Sequence, residues 1–153
     1  MSLFRRVPAE VTALVGPGER ALAWAQTSSG WVVATERCLV LEEAQQVPWE
    51  SVQRASWDEG VMVLRRGGQG EIRLTLDLAE TRLPEVVRER VEASIVLSER
   101  VTFSRGGAVI MARRPPSGGE ITWTVVFENL DAADPEIQAE ATAEVERLKA
   151  LLA

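Results

Sequence analysis

Histidine is absent from this chain, and so is tyrosine. Without histidine there is no Ser-His-Asp or Cys-His arrangement for nucleophilic catalysis, and the commonest general acid–base is missing. Zinc sites that use histidine are excluded, and a single cysteine, Cys38, cannot build a cysteine-rich one. One cysteine also forbids an intrachain disulfide. Cys38 opens an apolar run and reads as a small core residue. No apolar stretch approaches the ~18 residues of a membrane-spanning helix. The opening MSLFRRVPAEV has two arginines with no apolar run behind them, so no secretory leader is expected and the chain reads as cytoplasmic. A dense basic face is missing as well. The formal net charge is −6, which argues against nucleic acid and against non-specific attraction to anionic lipid. Lysine is confined to Lys149. With the abundance of alanine, valine and glycine, that arginine bias points to a GC-rich bacterial coding sequence.

The 153 residues fit one domain, or one domain with an appended subdomain. Residues 4–15 predict a short helix with Pro8 in its first turn and Val11, Leu14 and Val15 facing the core; Gly16-Pro17-Gly18 ends it. The stretch from Gly18 to Trp57 holds four of the five tryptophans and reads as short strands between tight turns. Strands are expected at Arg20–Gln26, Trp31–Thr35, Cys38–Leu41 and from Val47 through Trp57. Two more follow at Val61–Arg66 and Glu71–Asp77, with turns at Asp58-Glu59-Gly60 and Gly67–Gly70. In the last strand Ile72, Leu74 and Leu76 share a face.

The period then changes. From Thr81 to Ser98 the apolar residues Leu83, Val87, Val91 and Ile95 fall at helical spacing, with Thr81 as the expected N-cap. Strands are expected at Arg100–Ser104, Ala108–Arg113 and Glu120–Glu128. In the last, Ile121, Trp123, Val125 and Phe127 line one face. Asp134-Pro135-Glu136 starts a helix whose apolar stripe is Ile137, Ala141, Val145, Leu148 and Leu152. Helices following strands in this order predict an α+β fold with mostly antiparallel pairing.

The residues Gly18-Glu19, then Val32–Leu41 with Thr35-Glu36-Arg37 in its middle, then Val47-Pro48-Trp49-Glu50-Ser51-Val52, resemble the bacterial pleckstrin-homology-like domains. In that family a Gly-Glu precedes the first strand, a Thr-Asp-Arg turn joins the second and third, and an Ile-Pro-Trp/Tyr motif opens the fourth. Glu36 replaces the aspartate here. The resemblance covers residues 18–98. It implies an antiparallel β-barrel or strongly bent sheet capped by the Thr81–Ser98 helix. The expected organisation is therefore 1–98 as a PH-like domain and 99–153 as a C-terminal ββα extension packed on it. The whole chain also resembles a group of actinobacterial proteins, a likeness that implies no activity. Lipid-binding members of the wider superfamily carry basic residues between their first two strands. Here that loop, Gln26–Gly30, has no charge, so phosphoinositide binding is not expected.

Trp24, Trp31, Trp49 and Trp57 offer a ligand pocket or an interface hot spot. The plainer account is core packing, with Trp49, behind Pro48 at a strand entrance, as the exception. The pairs Arg5-Arg6, Arg65-Arg66 and Arg113-Arg114 carry the chemistry of an anion grip. Adjacent strand residues face opposite ways, however, so no pair is expected to act as one clamp. Gly16–Ala21 matches G-x-G-x-x-A, but precedes a strand and opens no helix, so it is not a dinucleotide site. Glu42-Glu43, Glu50, Asp58-Glu59 and Asp77 show no spacing that puts two carboxylates on one face.

The reading is a non-enzymatic binding or scaffolding module, with a protein partner favoured over a lipid and no cofactor or metal. Trp49, Trp31, Arg65 and Arg113 are its candidate binding residues. The competing reading is a small-molecule-binding or carboxylate-dependent catalytic protein. Self-association through the C-terminal strands and helix is a third.

Overall fold

A computed structural model describes residues 6–66, 69–77 and 81–152. In chain order these form α1 (Ala9–Leu14), β1 (Ala23–Thr27), β2 (Gly30–Ala34), β3 (Cys38–Val40), β4 (Gln46–Pro48), β5 (Arg54–Asp58), β6 (Val61–Arg65) and β7 (Glu71–Thr75). There follow α2 (Leu83–Ala93), β8 (Ile95–Phe103), β9 (Gly106–Arg113), β10 (Thr122–Glu128) and α3 (Pro135–Leu152). The class is α+β. All named strand pairs are antiparallel, and they sort into three sheets of order β1-β2-β3-β4, β5-β6-β7 and β10-β9-β8.

No closed barrel forms among the described residues, which corrects the barrel expectation. The break falls after β4. Pro48 has no N–H to continue a ladder, and the chain coils through a 3-10 turn, Trp49–Ser51, before β5 begins. Val52 N–H donates to Trp49 O at 3.1 Å and the Ser51 hydroxyl to Pro48 O at 2.6 Å, so local bonds replace the continuous strand expected there. The first two sheets are joined instead by one isolated bridge, Thr27 to Leu76.

The chain divides into two compact units, one running to Ser94 and including Pro115–Gly119, the other made of Ile95–Arg114 and the residues from Glu120 on. In the first unit the four-stranded sheet is buried on both faces. Val32, Ala34 and Leu39 enter a cluster with Trp49, Met62, Leu64 and the α2 residues Leu83, Val87 and Val91. Val33, Cys38 and Val40 point the other way, into a cluster with Val11 of α1. Burial on both sides is why Val32–Ala34 and Cys38–Leu41 are unbroken apolar runs rather than alternating ones. Residues 1–5, which hold Arg5 and the start of the predicted first helix, lie outside the described residues, as do Gly67 and Gly68 of the predicted turn.

The helix expected over Thr81–Ser98 is shorter at both ends. The Thr81 hydroxyl accepts from Leu83 N–H at 3.1 Å and donates to Trp24 O at 2.6 Å, but the capping position is Arg82. Ser94 closes the helix, its hydroxyl bonded to Val91 O. Ile95 then starts β8, pairing with Arg113. The β-branched Ile95 and Val96 suit a strand, and the ladder to β9 overrides the helical spacing read from sequence.

In the second unit β8, β9 and β10 make a three-stranded sheet where a strand pair with a lead-in was expected. Val101, Phe103, Ala108 and Ile110 pack with Ile137, Ala141 and Leu148 of α3, and Trp123, Val125 and Phe127 border the same cluster. Leu152, assigned to the apolar stripe of α3, is exposed.

Candidate functional site

Trp49 and Trp31, two of the residues singled out for binding, belong to different clusters on opposite faces of the four-stranded sheet. Trp49 is fully buried, and its indole N–H donates to Thr35 O at 2.9 Å. Its expected role as a surface contact is corrected by that burial. Pro48 and the 3-10 turn swing the ring inward, where its bulk fills the cluster and its one polar atom is satisfied. Trp31 belongs to the cluster on the opposite face of the sheet, half-buried near Val33 and Val40. Arg65 is exposed and pairs with Glu71 at 3.0 Å across the β6–β7 ladder. Arg113 is only 2% exposed and so offers no surface for an incoming anion. Arg65 and Arg113 also belong to different units.

Thr35 organises the turn that carried the family resemblance. Its hydroxyl oxygen accepts from Arg37 N–H at 3.3 Å and Cys38 N–H at 3.2 Å, and the hydroxyl donates to a Glu19 carboxylate oxygen at 3.2 Å. Thr35 N–H donates to Cys38 O at 2.9 Å. Burial pushes the Cys38 thiol up from its ordinary pKa. The Glu19 and Glu50 charges add to that, against the Thr35 hydrogen bond and Arg37. A buried, protonated thiol is a poor nucleophile. Thr35 serves the architecture of this turn.

A cavity of about 330 Å³ opens elsewhere on the first unit, where the β1–β2 and β3–β4 turns meet the inner face of β7. Val32, Leu41 and Leu74 supply its apolar lining, and Thr27, Ser29 and Gln45 its uncharged polar groups. The charged lining residues are Glu42 and Glu43. Both turns lie at one end because β1 and β3 run in the same direction in an antiparallel meander. The Thr27 hydroxyl holds the first turn, donating to Gly30 O at 2.9 Å and accepting from Ser29 N–H at 3.2 Å.

The second turn is strained. Glu43 has φ 58° and ψ 25°, and Ala44 has φ 58°, two successive non-glycine residues in the left-handed region. Such residues cost roughly 1–3 kcal/mol each and gather at functional sites. The turn is closed by Leu41 N–H to Gln45 O at 2.8 Å and Gln45 N–H to Glu42 O at 3.2 Å. The Glu42 side chain lies over Gly30, where an added Cβ would stand 1.8 Å from its Oε1. Glycine is therefore favoured at 30 by its φ of 133°, and any side chain there would have to displace Glu42.

In the sequence Glu42-Glu43 and the uncharged loop Gln26–Gly30 stand apart, with no local pattern that joins them. The meander itself was the available signal, since alternate turns of a meander fall at the same end. Among the described residues, no group of three or more histidine, cysteine, aspartate or glutamate side chains is placed to hold a metal. Comparison of the chain with protein-family models, with curated proteins and with solved structures finds no match.

Proposed function

We propose that this chain is a non-enzymatic binding module of pleckstrin-homology-like type, working in the cytoplasm and taking a protein partner in preference to a lipid. The carrying observation is the cavity at the β1–β2 and β3–β4 turns, whose lining has two carboxylates and no cationic side chain. A phosphoinositide headgroup needs the reverse polarity. A basic side chain of a peptide suits it: the aliphatic stem meets Val32, Leu41 and Leu74, and the cationic head meets Glu42 and Glu43. The four-plus-three order of antiparallel strands followed by α2 supports the PH-like reading. Among the described residues, no helix is long and apolar enough to cross a membrane.

The competing reading, a small-molecule or carboxylate-dependent protein, draws on the cavity volume, which lies at the low end of the ~300–1,000 Å³ typical of ligand pockets. Backbone NMR titration separates the two. The probes are an arginine-rich peptide, a glutamate-rich peptide, arginine amide alone, and vesicles containing a phosphoinositide. The expected result is shifts of Thr27, Ser29 and Gln45 amides with the basic peptide, reduced in Glu42→Gln/Glu43→Gln. Equal response to arginine amide favours the small-molecule reading. A response to the vesicles alone, or to no probe, overturns the proposal.

A further inference from the structure

We propose that β10 pairs edge to edge with β10 of a second copy of this chain, so that the sheet of the second unit runs on across a two-fold axis.

Several other strand edges of the chain are protected. Exposed edges invite pairing, and proteins blunt them with short strands, proline, charge or bulges. β4 is three residues long and ends on Pro48. β5 begins with Arg54 and ends with Asp58, and β7 carries Glu71 and Arg73. β8, the other edge of the same sheet as β10, has an irregular register between Ile95 and Leu97 and carries Glu99 and Arg100. β10 has neither proline nor a bulge, and its single charge, Glu128, stands at its very end. It is seven residues long and free of proline and glycine, and its register to β9 is unbroken from Thr122 to Glu128. From Trp123 to Phe127 it holds no charge. Among the described residues, no strand pairs with its outer edge, where alternate N–H and C=O groups point away from β9.

The strand is complementary to itself. Antiparallel pairing centred on Val125 sets Trp123 opposite Phe127 of the second copy, Thr124 opposite Val126, and Thr122 opposite Glu128. Glu128, the only charge of the strand, faces a threonine and never its own copy. Trp123, Val125 and Phe127 lie in the row that borders the α3 cluster. Pairing therefore lays two such rows side by side, with an aromatic ring opposite an aromatic ring at both ends, an arrangement that stabilises cross-strand contacts. In the other row Val126, 37% exposed, is shielded. The one charge of this edge, Glu128, is already paired with Arg100 of β8, and the edge's own sequence needs no countercharge to pair with itself.

Light scattering and sedimentation velocity test this on the full chain. Positions 124 and 126 lie in the row away from the α3 cluster and face one another across the axis, so T124K/V126K sets lysine opposite lysine twice. T124K/V126E sets lysine opposite glutamate twice. The expected result is a wild type at twice the chain mass, T124K/V126K at the single mass with an unchanged far-ultraviolet spectrum, and T124K/V126E at twice the mass again. A wild type at the single mass at every concentration reached overturns the proposal. So does a doubled mass that T124K/V126K leaves intact, or a failure of T124K/V126E to restore it. If T124K/V126K does not fold, hydrogen exchange on the wild type decides: protection of alternate β10 amides that rises with concentration supports the pairing, and protection independent of concentration overturns it.

Discussion

The indole N–H of Trp49 reaches the backbone carbonyl of Thr35 at 2.9 Å. This bond ties the 3-10 turn after β4 to the turn between β2 and β3, within a fully buried environment. Removing the ring leaves a large void and an unpaired carbonyl. Trp49→Ala is expected to lose about 3–5 kcal/mol of stability, measured by urea denaturation. Trp49→Phe keeps most of the volume and should lose less, near the ~1–3 kcal/mol of an orphaned buried polar group. A Trp49→Ala protein as stable as the parent would contradict the architectural role.

Cys38 should resist alkylation in the native protein and react fully in urea, followed by mass spectrometry with iodoacetamide. Burial raises its thiol pKa in the fold, so its contribution to stability is present below the unfolded thiol value, about 8.5. That contribution fades as pH rises through the folded value, because the unfolded chain releases the proton first. Denaturation series between about pH 7 and 10 should show a decline that is shallower in Cys38→Ala.

Gly30→Ala places a methyl group on the Glu42 carboxylate and demands φ of 133° from an L-residue. A loss of roughly 1–3 kcal/mol is expected from the backbone alone. The Glu42 side chain must also move, so any basic ligand of the cavity should bind more weakly. An unchanged melting temperature with unchanged binding would separate Gly30 from both roles.

Asp134 opens α3, its Oδ1 accepting from Glu136 N–H at 2.9 Å and its Oδ2 from Arg105. The Glu136 N–H leads in holding its pKa below the ordinary aspartate value, with Arg105 and the Ile137 N–H assisting against partial desolvation. A lowered pKa means stabilisation that is present above the unfolded value and lost as pH falls through the folded one. Asp134→Ala should therefore melt lower than the parent at neutral pH, and the gap should narrow in acid to what the uncharged acceptor contributes. Asp134→Asn, which keeps an acceptor for the helix N–H, should fall between them. A gap between the parent and Asp134→Asn that persists undiminished below the folded pKa would argue against the charge.

Much of the local structure was legible in the residues. The apolar runs Val32–Ala34 and Cys38–Leu41, the alternation Ile72-Leu74-Leu76 and the Asp134-Pro135-Glu136 helix start each carry a period or cap that backbone geometry alone interprets. Ile95–Leu97 was not legible as strand. Its spacing continues the helix before it, and only the pairing with β9 distinguishes the two. The cavity escaped because its carboxylates and hydroxyls are some fifteen residues apart in the chain, on turns that only the meander brings together.

Composition by itself determined which residue chemistry is missing, because residue types that are absent cannot be supplied by folding: without histidine and with one cysteine, this chain builds no Ser-His-Asp or Cys-His arrangement and no histidine-containing or cysteine-rich zinc site. Tertiary structure decided which of the remaining side chains meet solvent. Trp49 and Arg113 share the residue chemistry of a contact surface, yet both are buried, while Glu42 and Glu43 line a cavity. Burial depends on what packs against a residue from distant parts of the chain. A sequence position does not carry that information until the sheets form.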